Sequence, residues 1–140
     1  MFTLTLVTPE RRLVSGAEIE EVFVPGARGE LNILPGHAPL MTILQTGVLR
    51  YRLKGEAQLH SVAVSWGYAQ VNPLGVNILA ETAERGEDID VARVDTAVKS
   101  AEAVLARPDA TPEELEKAHK KVVRAAVRRE VASGGGPMTH

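Results

Sequence analysis

Residues 76–105 read VNILAETAERGEDIDVARVDTAVKSAEAVL, and within this stretch the periodicity of the chain changes. Val76 to Leu79 reads as a strand, because it follows the turn Asn72-Pro73-Leu74-Gly75 and folds back on Tyr68 to Val71 as a hairpin. From Asp88 onward, Val91, Val94, Val98, Ala101 and Leu105 recur at spacings of three and four, the apolar stripe of an amphipathic helix. The chain therefore divides into a strand-forming part, residues 1–86, and a helix-forming part that starts at residue 87.

Towards the N-terminus the pattern stays that of strands. Phe2 to Leu6 alternates and is closed by Pro9, and Ile19 to Val24 is rich in β-branched and aromatic residues before Pro25-Gly26. Leu31 to Leu34 is short and stops at Pro35-Gly36. Val48 to Leu53 alternates strictly, placing Leu49, Tyr51 and Leu53 on one face, and Lys54-Gly55-Glu56 turns the chain back into a strand over Leu59 to Val64. Short strands broken by Gly and Pro predict an all-β sandwich or barrel-like domain, and with no helix-length segment between them a parallel α/β fold is excluded.

Towards the C-terminus, Leu115, Ala118, Val122 and Ala125 repeat the helical stripe after the break Arg107-Pro108-Asp109-Ala110-Thr111-Pro112. Thr111 is placed as the N-cap, Pro112 as the first helical residue and Glu114 as the partner in a capping box. Asp88 or Asp90 can cap the first helix. The short connection predicts an antiparallel two-helix hairpin over residues 87–131. Much of its seam is Ala, so at about 25 cal/mol per Å² of buried apolar surface the hairpin alone is marginal. It either packs permanently on the β domain or changes partners. Ala132 to His140, with Gly134-Gly135-Gly136-Pro137, is expected to be a disordered tail.

Composition narrows the functions. A chain of 140 residues is about one domain, and its net charge of -2 argues against general affinity for nucleic acid or an anionic membrane. Aromatic residues are 4%, too few for a stacking surface for single-stranded nucleic acid. Cys is absent, which removes disulfides, thiolate zinc sites and a cysteine nucleophile. No apolar run approaches the roughly 20 residues that span a bilayer, and the start lacks the pattern of a signal peptide, so a cytoplasmic setting without membrane insertion is expected. Phosphate-binding loops and the GxSxG elbow are missing, and His37, His60, His119 and His140 are scattered. No catalytic residue and no metal ligand is assigned. Glu20-Glu21 and Glu113-Glu114 read structurally, as neighbours on opposite strand faces and as acids at a helix start.

A cationic run remains. Lys117, Lys120, Lys121, Arg124, Arg128 and Arg129 lie on the second helix, more than the helix dipole requires, and Arg124 and Arg128 share a face at i, i+4. Two further motifs place the chain. Gly29-Glu30-Leu31-Asn32-Ile33-Leu34-Pro35-Gly36-His37-Ala38-Pro39-Leu40 resembles the GELGILPGHAPL segment of the epsilon subunit of F-type ATP synthases, and Ala83-Glu84-Arg85-Gly86-Glu87-Asp88-Ile89-Asp90 resembles the AERxxDID junction of that family. Gly47-Val48-Leu49-Arg50 and Val76-Asn77-Ile78-Leu79 fit it as well, and the match runs from about Leu4 to Arg129.

The resemblance implies an α+β chain: an N-terminal flattened β-sandwich of about ten strands, then the helical hairpin. It implies a non-catalytic place in the central rotor stalk, against the gamma subunit and the c-subunit ring. It further implies coupling of rotation to ATP synthesis and restraint of ATP hydrolysis, with the hairpin able to extend towards the catalytic alpha and beta subunits. The setting is then the cytoplasmic face of a bacterial inner membrane, or a plastid thylakoid. Glu30 and His37 correspond to segments that face the ring, and Lys120, Lys121, Arg124 and Arg128 to the basic face that meets the catalytic subunits.

No cofactor is required. Some bacterial members bind ATP through a signature resembling [IL]DxxRA, which Ile89, Asp90 and Arg93 match, with Glu84, Arg124 and Arg128 nearby. Val94 replaces the signature Ala and Ser100 stands where binders carry an arginine, so weak ATP binding or none is expected. The competing reading has Asp90 capping the helix and Arg93 paired with an acid. A stand-alone ATP-sensing protein of the same fold is the alternative function. Asn32 and Trp66 depart from family glycines. Asn32 can adopt a left-handed backbone, whereas Trp66 reads either as a core filler or as a contact to gamma.

Overall fold

The computed structural model describes residues 1–133. It shows β1 (Thr3–Val7), β2 (Arg12–Gly26), β3 (Gly29–Ile33), β4 (Leu40–Leu44), β5 (Gly47–Leu53), β6 (Leu59–Asn72), β7 (Gly75–Arg85), α1 (Val91–Leu105) and α2 (Pro112–Ala132), with a 3-10 turn at Gly86–Asp88. The turns are where Gly and Pro put them: Lys54-Gly55 joins β5 to β6, and Pro73-Leu74 joins β6 to β7.

All pairings are antiparallel except β1 with β7, where Thr3 to Val7 runs beside Gly75 to Leu79. The pairings β1–β7, β7–β6, β6–β5, β5–β2 and β2–β1 close a ring, and β4 and β3 extend it from β6 and β2. Among the described residues the strands number seven, fewer than the ten or so expected. The reason is length: β2 has 15 residues, β6 has 14 and β7 has 11, and the long strands change partners part way along. β6 pairs with β5 up to Val64 and with β4 from Gly67.

The ring encloses the main core. Leu4, Leu6, Val22, Leu49, Val64 and Ile78 are buried within it, each stabilising the fold by about 1.5–3 kcal/mol. Leu49 and Tyr51 lie in this core and Leu53 packs against it, as the alternation of β5 predicts. The opposite face of β5 is buried too, at Val48 and Arg50. The hairpin covers Val48, while Arg50 lies against Glu30 and Phe23. Val48 and Ala63 of the sheet join Ile89, Val94, Val98, Ala125 and Val131 in a second, smaller core.

α2 makes the docking contacts with β5, β6, β7 and the 3-10 turn, and α1 packs on α2. Asp90 caps α1 by accepting from Arg93 N at 3.2 Å, and Thr111 and Glu114 form the capping box of α2. At the far end of α2 the backbone comes close to the sandwich: a Cβ at Gly86 would lie 2.7 Å from the Val131 carbonyl oxygen. α2 includes Ala132, which the sequence assigns to the tail, and residues 134–140 of that expected tail lie outside the described residues.

One backbone feature differs from expectation. Asn32 is an ordinary strand residue opposite Phe23, and among the described residues the non-glycine residue with positive φ is Trp66, at 39°. It sits where β6 changes partner. Next to it, Gly67 has φ 152°, and a Cβ there would lie 1.9 Å from the Leu79 carbonyl oxygen, so only glycine fits. A left-handed conformation at a bulky residue costs about 1–3 kcal/mol and persists only where its surroundings hold it.

Candidate functional surfaces

Three regions carry the residues singled out by sequence. The first is the turn between β2 and β3 with the loop that follows. Glu30 opposes Pro25, and its carboxylate accepts from Arg50 Nη2 at 2.5 Å. Arg50 is 4% exposed, lies with its Cζ 5.5 Å from the centre of the Phe23 ring, and has no hydrogen-bond partner for Nε. The half-exposed Glu30 is thus held by a buried cation. His37 is half-buried in the loop, and its Nδ1 lies 2.7 Å from the Ala38 carbonyl oxygen. A carbonyl only accepts, so Nδ1 is the protonated nitrogen and Nε2 is left to meet a partner. No hydrogen bond joins Glu30 to His37 among the described residues.

The second region adjoins this turn. Ile43, Tyr68 and Leu79 stand opposite one another across β4, β6 and β7, and are 67%, 45% and 37% exposed. Val7 continues the row on β1. Met41 and Leu40 are exposed beside it, and Leu31, Met41 and Ile43 line a groove of about 410 Å³ that reaches Gly29 in the turn. A row of large apolar side chains in water marks a surface that another molecule covers. The alternation of the strands contains this signal, but only the strand register aligns the residues into one patch.

The third region is the seam between sandwich and α2. Arg128 Nη2 donates to Glu84 Oε2 at 2.9 Å, while Nε approaches Oε1 to 2.8 Å without hydrogen-bond alignment. Ser65 and Thr82 share a short hydrogen bond, Thr46 Oγ1 is buried without a partner, and Arg124 and Val127 complete the lining. The space among them has no room for a water molecule. Of the six residues matched to nucleotide binders, Glu84, Arg124 and Arg128 meet here. Ile89 is buried in the second core, Asp90 is engaged as a cap, and Arg93 is exposed on α1. Among the described residues no hydrogen bond or ion pair ties Asp90 or Arg93 to the Glu84–Arg128 pair, and Arg93 is not paired with an acid.

The basic face of α2 is partly engaged in this arrangement. Arg128 is held by Glu84, Arg129 by Asp95, and Lys120 lies 3.6 Å from Glu116 and 5.6 Å from the centre of the Trp66 ring. Lys121 and Arg124 make no ion pair among the described residues. Trp66 is half-buried and belongs to neither core, so it is not a core filler. Near the end of α2 a polar cavity of about 430 Å³ is lined by Tyr51, His60, Arg85, Glu87 and Val131. The Tyr51 and His60 rings stack at 5.2 Å, and burial pushes the Tyr51 hydroxyl above its ordinary pKa against the pull of Arg85. No group of three or more metal-ligating side chains exists among the described residues, and no helix there is long and apolar enough to cross a membrane.

This combination, a closed sandwich with a docked helical hairpin, defines a class. Residues 1–86 match the family model of the ATP synthase delta/epsilon chain, beta-sandwich domain. The chain is 41% identical over 133 residues to ATP synthase epsilon chain 2 of Syntrophotalea carbinolica, covering 95% of this chain and 94% of that one. It is 57% identical over 88 residues to the ATP synthase epsilon chain of Bdellovibrio bacteriovorus, a match that spans 63% of each. The chain belongs to the epsilon-subunit family of F-type ATP synthases. A chain in the cryo-EM structure of the Euglena gracilis mitochondrial ATP synthase, OSCP/F1/c-ring, has the same fold, with a TM-score of 0.81 at 22% identity over 94% of this chain and 81% of that one.

Proposed function

We propose that the chain is a non-catalytic subunit of the central stalk that couples proton-driven rotation to ATP synthesis and restrains ATP hydrolysis through its C-terminal helices. The sandwich is the anchor. Its exposed row Ile43, Tyr68 and Leu79 supports docking of the gamma subunit, and the adjoining turn offers Glu30 and His37 to the c ring. The complex is peripheral at this end, on the cytoplasmic face of a bacterial inner membrane.

The observation that carries the inhibitory part is the seam beneath α2. It is small, and its central contact is the Glu84–Arg128 pair beside hydroxyl groups, so separation returns these groups to water rather than stranding them. Once free, Lys120, Lys121, Arg124 and Arg128 form a basic surface suited to acidic residues of the catalytic alpha and beta subunits. ATP is at most a weak regulatory ligand, because in the docked hairpin its phosphates would have to take Arg128 from Glu84 in a space too small for water.

The test is ATP hydrolysis by the cognate complex depleted of this subunit, after adding back the full chain or its Lys121→Gln/Arg124→Gln variant. Neither residue makes an ion pair with the sandwich among the described residues, but Arg124 lines the seam, so amide exchange of α2 in the free variant checks that docking is retained. The variant is expected to bind equally well and to release hydrolysis from inhibition. Equal inhibition by both proteins would show that the basic face is not the brake.

A further inference from the structure

We propose that Trp66 and Lys120 form a latch that holds the hairpin on the sandwich and sets how readily it is released. The inference rests on the reading of the hairpin as a releasable element. Two independent observations support it. The Lys120 ammonium lies 5.6 Å from the centre of the Trp66 ring, bridging β6 and α2 at a place apart from the Glu84–Arg128 pair. The backbone at Trp66 is also left-handed, with φ 39°, a conformation that glycine adopts freely and a bulky aromatic residue does not.

The strain and the contact belong together. Trp66 marks the bend where β6 leaves β5 for β4, and Gly67 beside it is fixed by the close approach of β7. The sandwich needs only a bend at this point, and glycine would supply it without strain. What the indole adds is an aromatic face towards Lys120. A cation over an aromatic face is attracted to it, and with the ring half-buried and the ammonium exposed the effect is of the modest, surface kind. The Lys120 side chain stays 54% exposed and also lies 3.6 Å from Glu116, so the contact fixes where the ammonium sits while the hairpin is docked rather than burying it. One contact thus helps hold the hairpin down through a residue that the extended state also uses.

The test is amide hydrogen exchange on the full chain, comparing residues 112–132 with the strands. Lys120→Gln keeps most of the aliphatic stem and removes the charge. It is expected to speed exchange of the α2 amides about two- to fivefold and leave the strand amides unchanged. Trp66→Gly removes the ring and the strain together. It is expected to speed α2 exchange at least about fivefold while the strands exchange as slowly as before or more slowly. Trp66 is the single tryptophan, so in Lys120→Gln its emission gives a second readout, a shift to the red as the ring becomes wetter.

If Trp66→Gly speeds exchange of strands and α2 together, the indole is part of the sandwich's own packing and the latch is wrong. If α2 opens separately from the strands but neither variant changes its rate, the hairpin is releasable and something else holds it. If α2 exchanges only when the whole domain unfolds, the release reading itself fails, and the latch with it.

Discussion

The sandwich and the hairpin are built from similar aliphatic residues but held in different ways. In the sandwich, strand pairing closes on itself, and Leu, Ile and Val from every part of the ring share one core. In the hairpin, Val94, Val98, Ala101, Ala118 and Ala125 give a thin seam, and the structure is completed by borrowing Val48 and Ala63 from the sheet. The sandwich can therefore lose the hairpin and keep its core, but the hairpin cannot lose the sandwich without exposing part of its own. A chain with such an asymmetry opens in parts, the thinner part first.

The sharpest way to break this comparison is to weaken each core in turn. Leu49→Ala in the ring should destabilise the whole chain by about 2–5 kcal/mol, read as a lower denaturation midpoint for strands and helices together. Val98→Ala in the second core should cost about 1.5 kcal/mol, at roughly 0.8 kcal/mol per buried CH₂, and should appear in the helices alone. A Val98→Ala variant whose strands are equally destabilised would show that the two parts form one cooperative unit.

Glu84→Gln sharpens the same contrast at the seam. The side chains of Glu84 and Arg128 are each about one-fifth exposed, so removing the carboxylate leaves a largely buried guanidinium without its counter-charge. The loss expected is about 1.5–3 kcal/mol of docking free energy, seen as faster amide exchange across α2 with the strands unaffected. Unchanged α2 exchange would mean that apolar contacts alone hold the hairpin. Because Arg128 is then free, this variant should also inhibit hydrolysis more strongly than the parent chain.

The contrast between the parts was legible in the sequence because it is a contrast of period. Leu49, Tyr51 and Leu53 alternate, Val91, Val94 and Val98 do not, and the change between them falls near Gly86. The capping box at Thr111 and Glu114 was legible for the same local reason. What periodicity could not show is what lies over the second face of a strand. The alternation of β5 says nothing of what covers Arg50, which is buried beneath Glu30 and Phe23. Trp66 was visible as a departure from glycine, but its partner lies on an element 54 positions along the chain, and only tertiary structure joins them. The strand count was overestimated because a strand that bends from one partner to another remains one strand.

The smallest effect expected lies at the start of α2, where the hairpin depends on itself alone. Thr111 Oγ1 accepts from Glu114 N at 3.1 Å, and Glu114 Oε1 accepts from Thr111 N at 3.1 Å. That backbone hydrogen bond, with a second from Arg107 to the other carboxylate oxygen, holds the Glu114 pKa below its ordinary value of 4.5. A carboxylate whose pKa is depressed on folding stabilises the fold above its unfolded value, and that contribution fades as pH falls through the folded one. The first turn of α2 should therefore fray as the solution is acidified below 4.5, with the strands unaffected. Thr111→Ala should cost about 1 kcal/mol of helix stability at neutral pH. Glu114→Gln should retain the reach to Thr111 N through its amide oxygen, and should remove the acid dependence at this turn. Helicity followed by far-ultraviolet circular dichroism, with amide exchange at residues 113–116, measures both. Identical acid fraying in Glu114→Gln and the parent chain would assign the response to another carboxylate on the hairpin.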